Sequence, residues 1–205
     1  VIGGWVLKYL GAYLGGAHTA MADGNYFTNF ISSTSEPLLY FFIFAAITFF
    51  IVLLGVKKGV EATSKFLMPL LVLLSIVIAV YSVTRPGAME GLVYYLKPDF
   101  SKFSVNLVLA ALGQMFYSMS LAMGIMITYG SYMKKTANLE KSVRQIEWFD
   151  TGIAFLAGLI IIPAVFAFAN GEVNAGPGLM FMSLPKIFEH MGLSTLIGVL
   201  FFVLV

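Results

Sequence analysis

An all-α, polytopic membrane helical bundle is the fold class this sequence predicts, and three observations predict it. Of 205 residues, 60% are hydrophobic and 11% charged, with a mean hydropathy of +0.92; a soluble domain sits nearer half apolar and a quarter charged. The apolar residues gather into runs close to the ~20 residues that a spanning helix needs. None of those runs alternates with the period of two expected of strands, and barrel strands would be only about 9–11 residues long.

Taken in order, residues 1–16 form a short apolar piece that fits part of a span, and residues 38–56 and 68–84 are uninterrupted apolar runs. Residues 105–133 make a longer run, expected to break near 118–124, where small and polar residues collect. Residues 148–169 form a further span with Asp150 near its start and Pro163 inside it, and residues 193–205 are again part of a span. Turn-rich stretches lie between: 18–37, 85–103 with Pro86, Gly87, Pro98 and Asp99, and 170–192 with Gly171, Gly176, Pro177 and Gly178. The chain is read as a single membrane domain, 1–205. It opens without Met or a basic leader, so it does not open on a signal peptide. Both ends run through apolar segments, which gives the expectation of an internal piece of a longer protein.

Several function classes drop out. A net charge of +2 carries no basic stripe for nucleic acid. The absence of cysteine removes disulfides and thiol chemistry. No Gly-x-Ser-x-Gly elbow, His-Glu-x-x-His, P-loop or dinucleotide fingerprint is present, and the two histidines, His18 and His190, fall in connecting stretches, so an enzyme is not expected. An intramembrane serine hydrolase would need Ser118 or Ser120 as nucleophile, and no base can be assigned beside either. Basic residues in short loops orient a membrane protein. With alternating helices, Lys57, Lys58, Lys65, Lys134, Lys135, Lys141 and Arg144 share one side, against Arg85, Lys97, Lys102 and Lys186 on the other. Loops 57–65 and 134–144 are therefore expected on the cytoplasmic side of the cell membrane.

The segment Gly113-Gln-Met-Phe-Tyr-Ser-Met-Ser-Leu-Ala-Met-Gly124, continuing into Ile127-Thr-Tyr-Gly-Ser-Tyr132, carries the strongest local signal. Irregular backbone at membrane depth survives only around a cavity or inside protein. A broken helix there offers carbonyl oxygens from one half and amides from the other, and serine hydroxyls add hard oxygen ligands. The same Ser, Ala and Gly residues also suit close helix packing, and composition does not choose between the two. Asp150 likewise has two readings: an ionisable residue inside a span is a functional candidate, and an acid in a first helical turn is favoured by the dipole. Pro163 bends its helix by removing an amide donor. Gly11 and Gly15 have the spacing of a close-packing motif, and Lys8 either snorkels or faces a polar interior.

The 113–132 stretch resembles the sixth, unwound helix of the neurotransmitter:sodium symporter family, bacterial branch. Trp5-Val-Leu-Lys-Tyr resembles the third helix of that family. Asp150-Thr-Gly, with Ala157-Gly158 and Ile162-Pro163-Ala164, resembles the seventh, and Gly178-Leu-Met-Phe-Met-Ser-Leu-Pro185 the fourth extracellular loop. The resemblance implies a leucine-transporter-type fold of two inverted repeats, with this chain running from the third helix into the eighth. It implies a sodium-coupled amino-acid symporter embedded in the bilayer, with sodium as coupling ion, no organic cofactor and no nucleic-acid partner.

Residue by residue, the resemblance makes Tyr117 the aromatic lid over the substrate. Ser118 becomes a ligand of the first sodium bordering the substrate, Ser120 meets the amino acid's main-chain groups, and Met123 touches its side chain. A methionine wall is deformable and fits an apolar or aromatic amino acid. Asp150 aligns with a sodium ligand that is Asn in several relatives. Animal members also need chloride, and the aligned chloride position here is Ala154, which has no hydroxyl; the Asp150 carboxylate would supply that charge, implying chloride independence. The family's first helix, its third-helix tyrosine and its eighth-helix ion ligands fall outside the chain, so this polypeptide alone is not expected to transport. A non-transporting ligand-binding or sensor protein of the same fold is the alternative, and oligomeric state has no signature.

Overall fold

A computed structural model describes residues 1–53, 61–134, 136–168, 176 and 178–205. Val56, Lys57, Lys58, Lys135, Ala169, Asn170, Gly171 and Pro177, which entered the span, loop and charge expectations, lie outside the described residues. The helices in chain order are α1 (Ile2–Leu14), α2 (His18–Met21), α3 (Gly24–Ser32), α4 (Ser35–Leu53), α5 (Ala62–Val83) and α6 (Ala88–Leu96), then α7 (Val105–Ser118), α8 (Ile125–Tyr132), α9 (Leu139–Phe168), α10 (Gly178–Glu189) and α11 (Ser194–Leu204). The described residues contain no strand. Among the described residues three helices, α4, α5 and α9, are long and apolar enough to cross a membrane, and the chain is an integral membrane protein.

Local chemistry explains where the helices start. Asp23 accepts a hydrogen bond from Asn25 N at 3.1 Å and starts α3 inside a stretch whose polar residues read as loop. Ser104 accepts from Leu107 N at 3.2 Å and caps α7. In the turn before it, hydrogen bonds from Ser101 hold the exposed Asp99 carboxyl below the usual carboxylate range. α9 begins at Leu139, ahead of the apolar run that opens at Trp148, because Asn138 Oδ1 accepts from Lys141 N at 3.0 Å and Glu140 pairs with Arg144 one turn on at 3.1 Å. Hydrophobic patterning cannot see those two polar turns; the capping residue can.

The core lies where α1, α10 and α11 meet. Tyr9 and Tyr13 of α1 are fully buried, together with Phe181 and Phe188 of α10 and Phe202 of α11. Phe181 stacks on Phe27 of α3 at 5.5 Å between centroids and meets Trp5 edge-on at 5.8 Å. Each such pair contributes about 0.5–1.5 kcal/mol beyond the area it buries. The turn-rich stretch after α9 therefore carries one of the most enclosed helices of the chain.

Lys8 resolves differently from either expectation. Its ammonium lies 2.9 Å from Glu36 Oε2, with the Tyr40, Phe30 and Tyr26 ring centres at 5.5, 5.7 and 5.9 Å. This charge-and-π cage joins α1 to α3 and α4. The close approach of α1 to α4 falls at Gly4, where a Cβ would lie 2.9 Å from Phe41 N, whereas Gly11 and Gly15 have no backbone of another helix within 4 Å.

α9 is held along two sides. Pro163, buried in its second half, has no amide donor and its ring crowds the preceding turn. In that turn Ile160 O accepts a 2.8 Å hydrogen bond from the buried Ser82 Oγ of α5. On the other side α6 presses against the proline through Gly91, where a Cβ would lie 2.8 Å from Pro163 Cα and 2.9 Å from Ile162 O. Those neighbours are backbone and cannot rotate away. Gly91→Ala is expected to destabilise the protein by about 1–3 kcal/mol, seen as a lower thermal unfolding midpoint in detergent; an unchanged midpoint would mean that α6 tolerates standing off from α9.

Candidate functional site

The regular backbone of the apolar segment 105–133 stops at Ser118 and resumes at Ile125. α7 closes with a Schellman motif: Leu121 N donates to Phe116 O at 2.9 Å, and Ser120 N to Tyr117 O at 3.1 Å. The left-handed residue that this motif requires is Ser120, at φ 56°, whereas α1 closes the same way with Gly16 at φ 75°. Ala122 follows at φ 61° and Gly124 at φ 73°. A non-glycine residue in this region costs of order 1–3 kcal/mol, and two of them stand within three residues. Glycine would have met the backbone's needs more cheaply, so Ser120 and Ala122 carry strain.

Beyond the bonds that close α7, the carbonyls of residues 118–123 and the amides of residues 122–127 have no backbone partner among the described residues. Gly124 O, at the far edge, accepts from both Thr128 N and Thr128 Oγ1 at 3.1 Å, which starts α8. The break therefore presents carbonyl oxygens at the negative end of α7 and amides at the positive end of α8, two poles a few residues apart.

Across from the break stands α9. Ser118 Oγ donates to Asp150 Oδ1 at 2.6 Å, a short, charge-assisted contact. This bond links the last residue of α7 to the first spanning turns of α9, and neither α7 nor α8 has a fully buried side chain. Asp150 is partly buried and bonded to the neighbouring helix rather than free at a helix terminus. An open cleft of about 600 Å³ lies beside it, lined by Ser142, Gln145, Ile146, Phe149 and Ile153 as well as Asp150.

The remaining residues singled out in the sequence lie on the same break. Ser120 is partly buried, Met123 is 46% exposed, and Tyr117, one residue before Ser118, is 66% exposed. The structure joins Ser118 to Asp150 by a side-chain bond; Tyr117, Ser120 and Met123 are gathered by chain continuity alone. Thr128, within the 113–132 stretch, has no role assigned by its residue type, and the structure places both its amide and its hydroxyl on Gly124 O.

Oxygen dominates the donor set: a carboxylate, a hydroxyl and a run of free carbonyls. That combination suits a hard cation without nitrogen or sulfur affinity, and no group of three or more His, Cys, Asp or Glu that could hold a transition metal occurs among the described residues. The more enclosed cavity, about 270 Å³ between α5, α9, α10 and α11, is a different kind of space. Ser75 is the one hydroxyl in a lining otherwise made of residues such as Leu71, Ile160, Leu184 and Phe201. It has nothing with which to hold a charge.

Known proteins are similar to this chain in sequence and in backbone. A sequence model of the Sodium:neurotransmitter symporter family matches residues 27–205. A sodium-dependent transporter of Haemophilus influenzae is 38% identical over 98% of this chain and 46% of its own length. The sodium-dependent transporter YhdH of Bacillus subtilis is 38% identical over 99% of this chain and 46% of its own. The human sodium- and chloride-dependent creatine transporter 1 is 32% identical over 72% of this chain and 25% of its own. Among solved structures, MhsT in complex with L-phenylalanine superposes with a TM-score of 0.90 at 41% identity, over 99% of this chain and 47% of MhsT. The chain thus spans about half the length of the bacterial relatives it matches. With a broken helix facing an acidic one, a shared backbone and a match over residues 27–205, the chain belongs to the sodium:neurotransmitter symporter family.

Proposed function

We propose that this chain supplies a cation and substrate site of a sodium-coupled secondary transporter, a symporter that carries an amino acid inward across the cell membrane by alternating access. The observation that carries the reading is the 2.6 Å contact between Ser118 Oγ and Asp150 Oδ1 at the mouth of the helix break. Sodium is a transported ion here, taken up and released in each cycle. The Asp150 carboxylate neutralises its charge, and Ser118 Oγ and free carbonyls of residues 118–123 replace water in its coordination shell. To do so, the Ser118 hydroxyl turns its lone pairs to the ion in place of donating its proton to Asp150. The names of the bacterial relatives support sodium as the coupling ion.

The substrate side of the site follows from the same break. Free carbonyls accept hydrogen bonds from an ammonium group, and the Ser120 hydroxyl stands among them. Met123 provides a flexible apolar wall, Tyr117 a covering ring. That chemistry fits an apolar or aromatic amino acid, and the L-phenylalanine bound to MhsT supports the class. Cation and zwitterion share one electrostatic neighbourhood, so each improves the site for the other. Joint occupancy then favours closure over the empty or half-filled states. Lys65, Lys134, Lys141 and Arg144 mark the cytoplasmic side, and α2, α3, α6 and α10 lie on the outer side.

Three outcomes are expected. In proteoliposomes holding the complete protein, accumulation of an apolar or aromatic amino acid requires an inward sodium gradient; uptake that persists when potassium replaces sodium on both sides ends the proposal. Asp150→Asn removes the fixed negative charge and is expected to create a chloride requirement for uptake, measured with gluconate as the replacement anion; a variant indifferent to chloride removes that role from Asp150. Ser120→Gly relieves the left-handed strain and raises stability by about 1 kcal/mol, while weakening substrate binding through the lost hydroxyl. Equal affinity in Ser120→Gly, read by scintillation proximity, would take Ser120 out of the substrate site.

A further inference from the structure

The Ser118 hydroxyl leaves its own helix. Thr48, Thr128 and Ser142 do otherwise and bond back one turn: Thr48 Oγ1 donates to Phe44 O at 2.9 Å, Thr128 Oγ1 to Gly124 O at 3.1 Å and Ser142 Oγ to Asn138 O at 3.0 Å. Ser118, the last residue of α7, has the same option in Gln114 O. Its Oγ instead crosses to Asp150 Oδ1 on α9, 32 residues on in the chain.

The 2.6 Å separation decides what lies between the two oxygens. That length is normal for a hydroxyl proton shared with a carboxylate. Two oxygens that instead ligate one hard cation, each about 2.4 Å from it and at right angles, stand about 3.4 Å apart. The hydrogen bond and a shared ion therefore exclude one another. Asp150 is held either by the Ser118 proton or by a cation that Ser118 also ligates.

Concentrative symport uses both arrangements. In each cycle a carrier crosses between its two open forms once loaded and once unloaded, and the Asp150 carboxylate makes both crossings. On the loaded crossing the ion neutralises it. On the unloaded crossing that partner is gone while water is excluded, and an unpaired carboxylate in such surroundings is costly. A hydroxyl on the facing helix can take the place of the ion by donating a charge-assisted hydrogen bond.

Resting on the symport reading above, we infer that Ser118 is a positioning residue for the unloaded return: its hydroxyl stands in for sodium on Asp150 once the ion has left, and so sets how fast the empty carrier returns. The role is distinct from ligating sodium, which belongs to the loaded crossing.

Exchange of internal for external substrate uses the loaded crossing alone, whereas net uptake uses both, so the ratio of the two rates isolates the return. The complete protein in proteoliposomes is assayed for both with radiolabelled L-phenylalanine, sodium being saturating outside for net uptake and on both sides for exchange. Ser118→Ala weakens ion binding and lowers both rates, but the ratio of net uptake to exchange is expected to fall about tenfold below that of the unmodified protein, the value of one charge-assisted hydrogen bond. Ser118→Cys, whose thiol is a weak donor, should lower the ratio in the same direction and decides the matter if Ser118→Ala is inactive. Ser118→Thr keeps the hydroxyl and should keep the ratio. In an Asp150→Asn background with chloride present, no fixed charge has to return, and Ser118→Ala should leave the ratio unchanged. An unchanged ratio in Ser118→Ala or Ser118→Cys, an equal loss in Ser118→Thr, or an equal fall in the Asp150→Asn background would each overturn the inference. Exchange as fast in potassium as in sodium would overturn the symport reading itself; sodium-dependent exchange with an unaltered ratio overturns the return role alone.

Discussion

A polypeptide inside hydrocarbon has no water to bond its amides and carbonyls, so each must find a partner within the protein, and this constraint organises the molecule. α4, α5 and α9 meet it in the ordinary way, as long helices whose interior groups bond along the axis. The segment between α7 and α8 does not. It closes α7 with the bonds from Ser120 N and Leu121 N, restarts α8 at Thr128, and leaves several carbonyls and amides between without backbone partners among the described residues. Ser120 and Ala122 hold left-handed conformations for which glycine is the natural choice. A strained break with free polar groups persists in a membrane only if something polar comes to meet it, and Asp150 is the first such group.

Everything else in the fold holds α9 where it can make that meeting. Ser82 reaches Ile160 O from α5, and α6 comes close through Gly91 on the side of Pro163, so α9 is braced above Asp150 by two different neighbours. The aromatic core of Tyr9, Tyr13, Phe181, Phe188 and Phe202 binds α1, α10 and α11 together, and the stack of Phe27 on Phe181 pins α3 to the outside of α10. Lys8 completes this outer framework by tying α1 to α3 and α4. The helix break is thus a thinly packed part of the chain, set across from a helix that its neighbours bury in its second half.

The break was legible because its cause is compositional: Ser118, Ser120, Ala122 and Gly124 fall together in a run otherwise made of large apolar residues. Asp150 was legible for the same reason, as a lone charge in an apolar span. The start of α9 was not, because hydropathy reports lipid exposure, and its first two turns lie outside the hydrocarbon; only Asn138 signalled it. The burial of α10 was hidden too. Glycines and prolines around it read as loop, and the fact that Phe181 and Phe188 pack into α1 and α11 depends on partners far away in the chain. Lys8 shows the same limit, since Glu36 and three aromatic rings converge on it from two other helices.

Sequence alone determined that this chain crosses a membrane as helices, that one helix is interrupted, and which residues stand at the interruption. Those properties depend on local composition and on the short-range energetics of the backbone in lipid. Tertiary structure decided that Ser118 and Asp150 touch, that Lys8 is caged and that α10 is core. Each depends on where helices distant in sequence come to lie, and packing of whole surfaces sets that, which no single segment encodes.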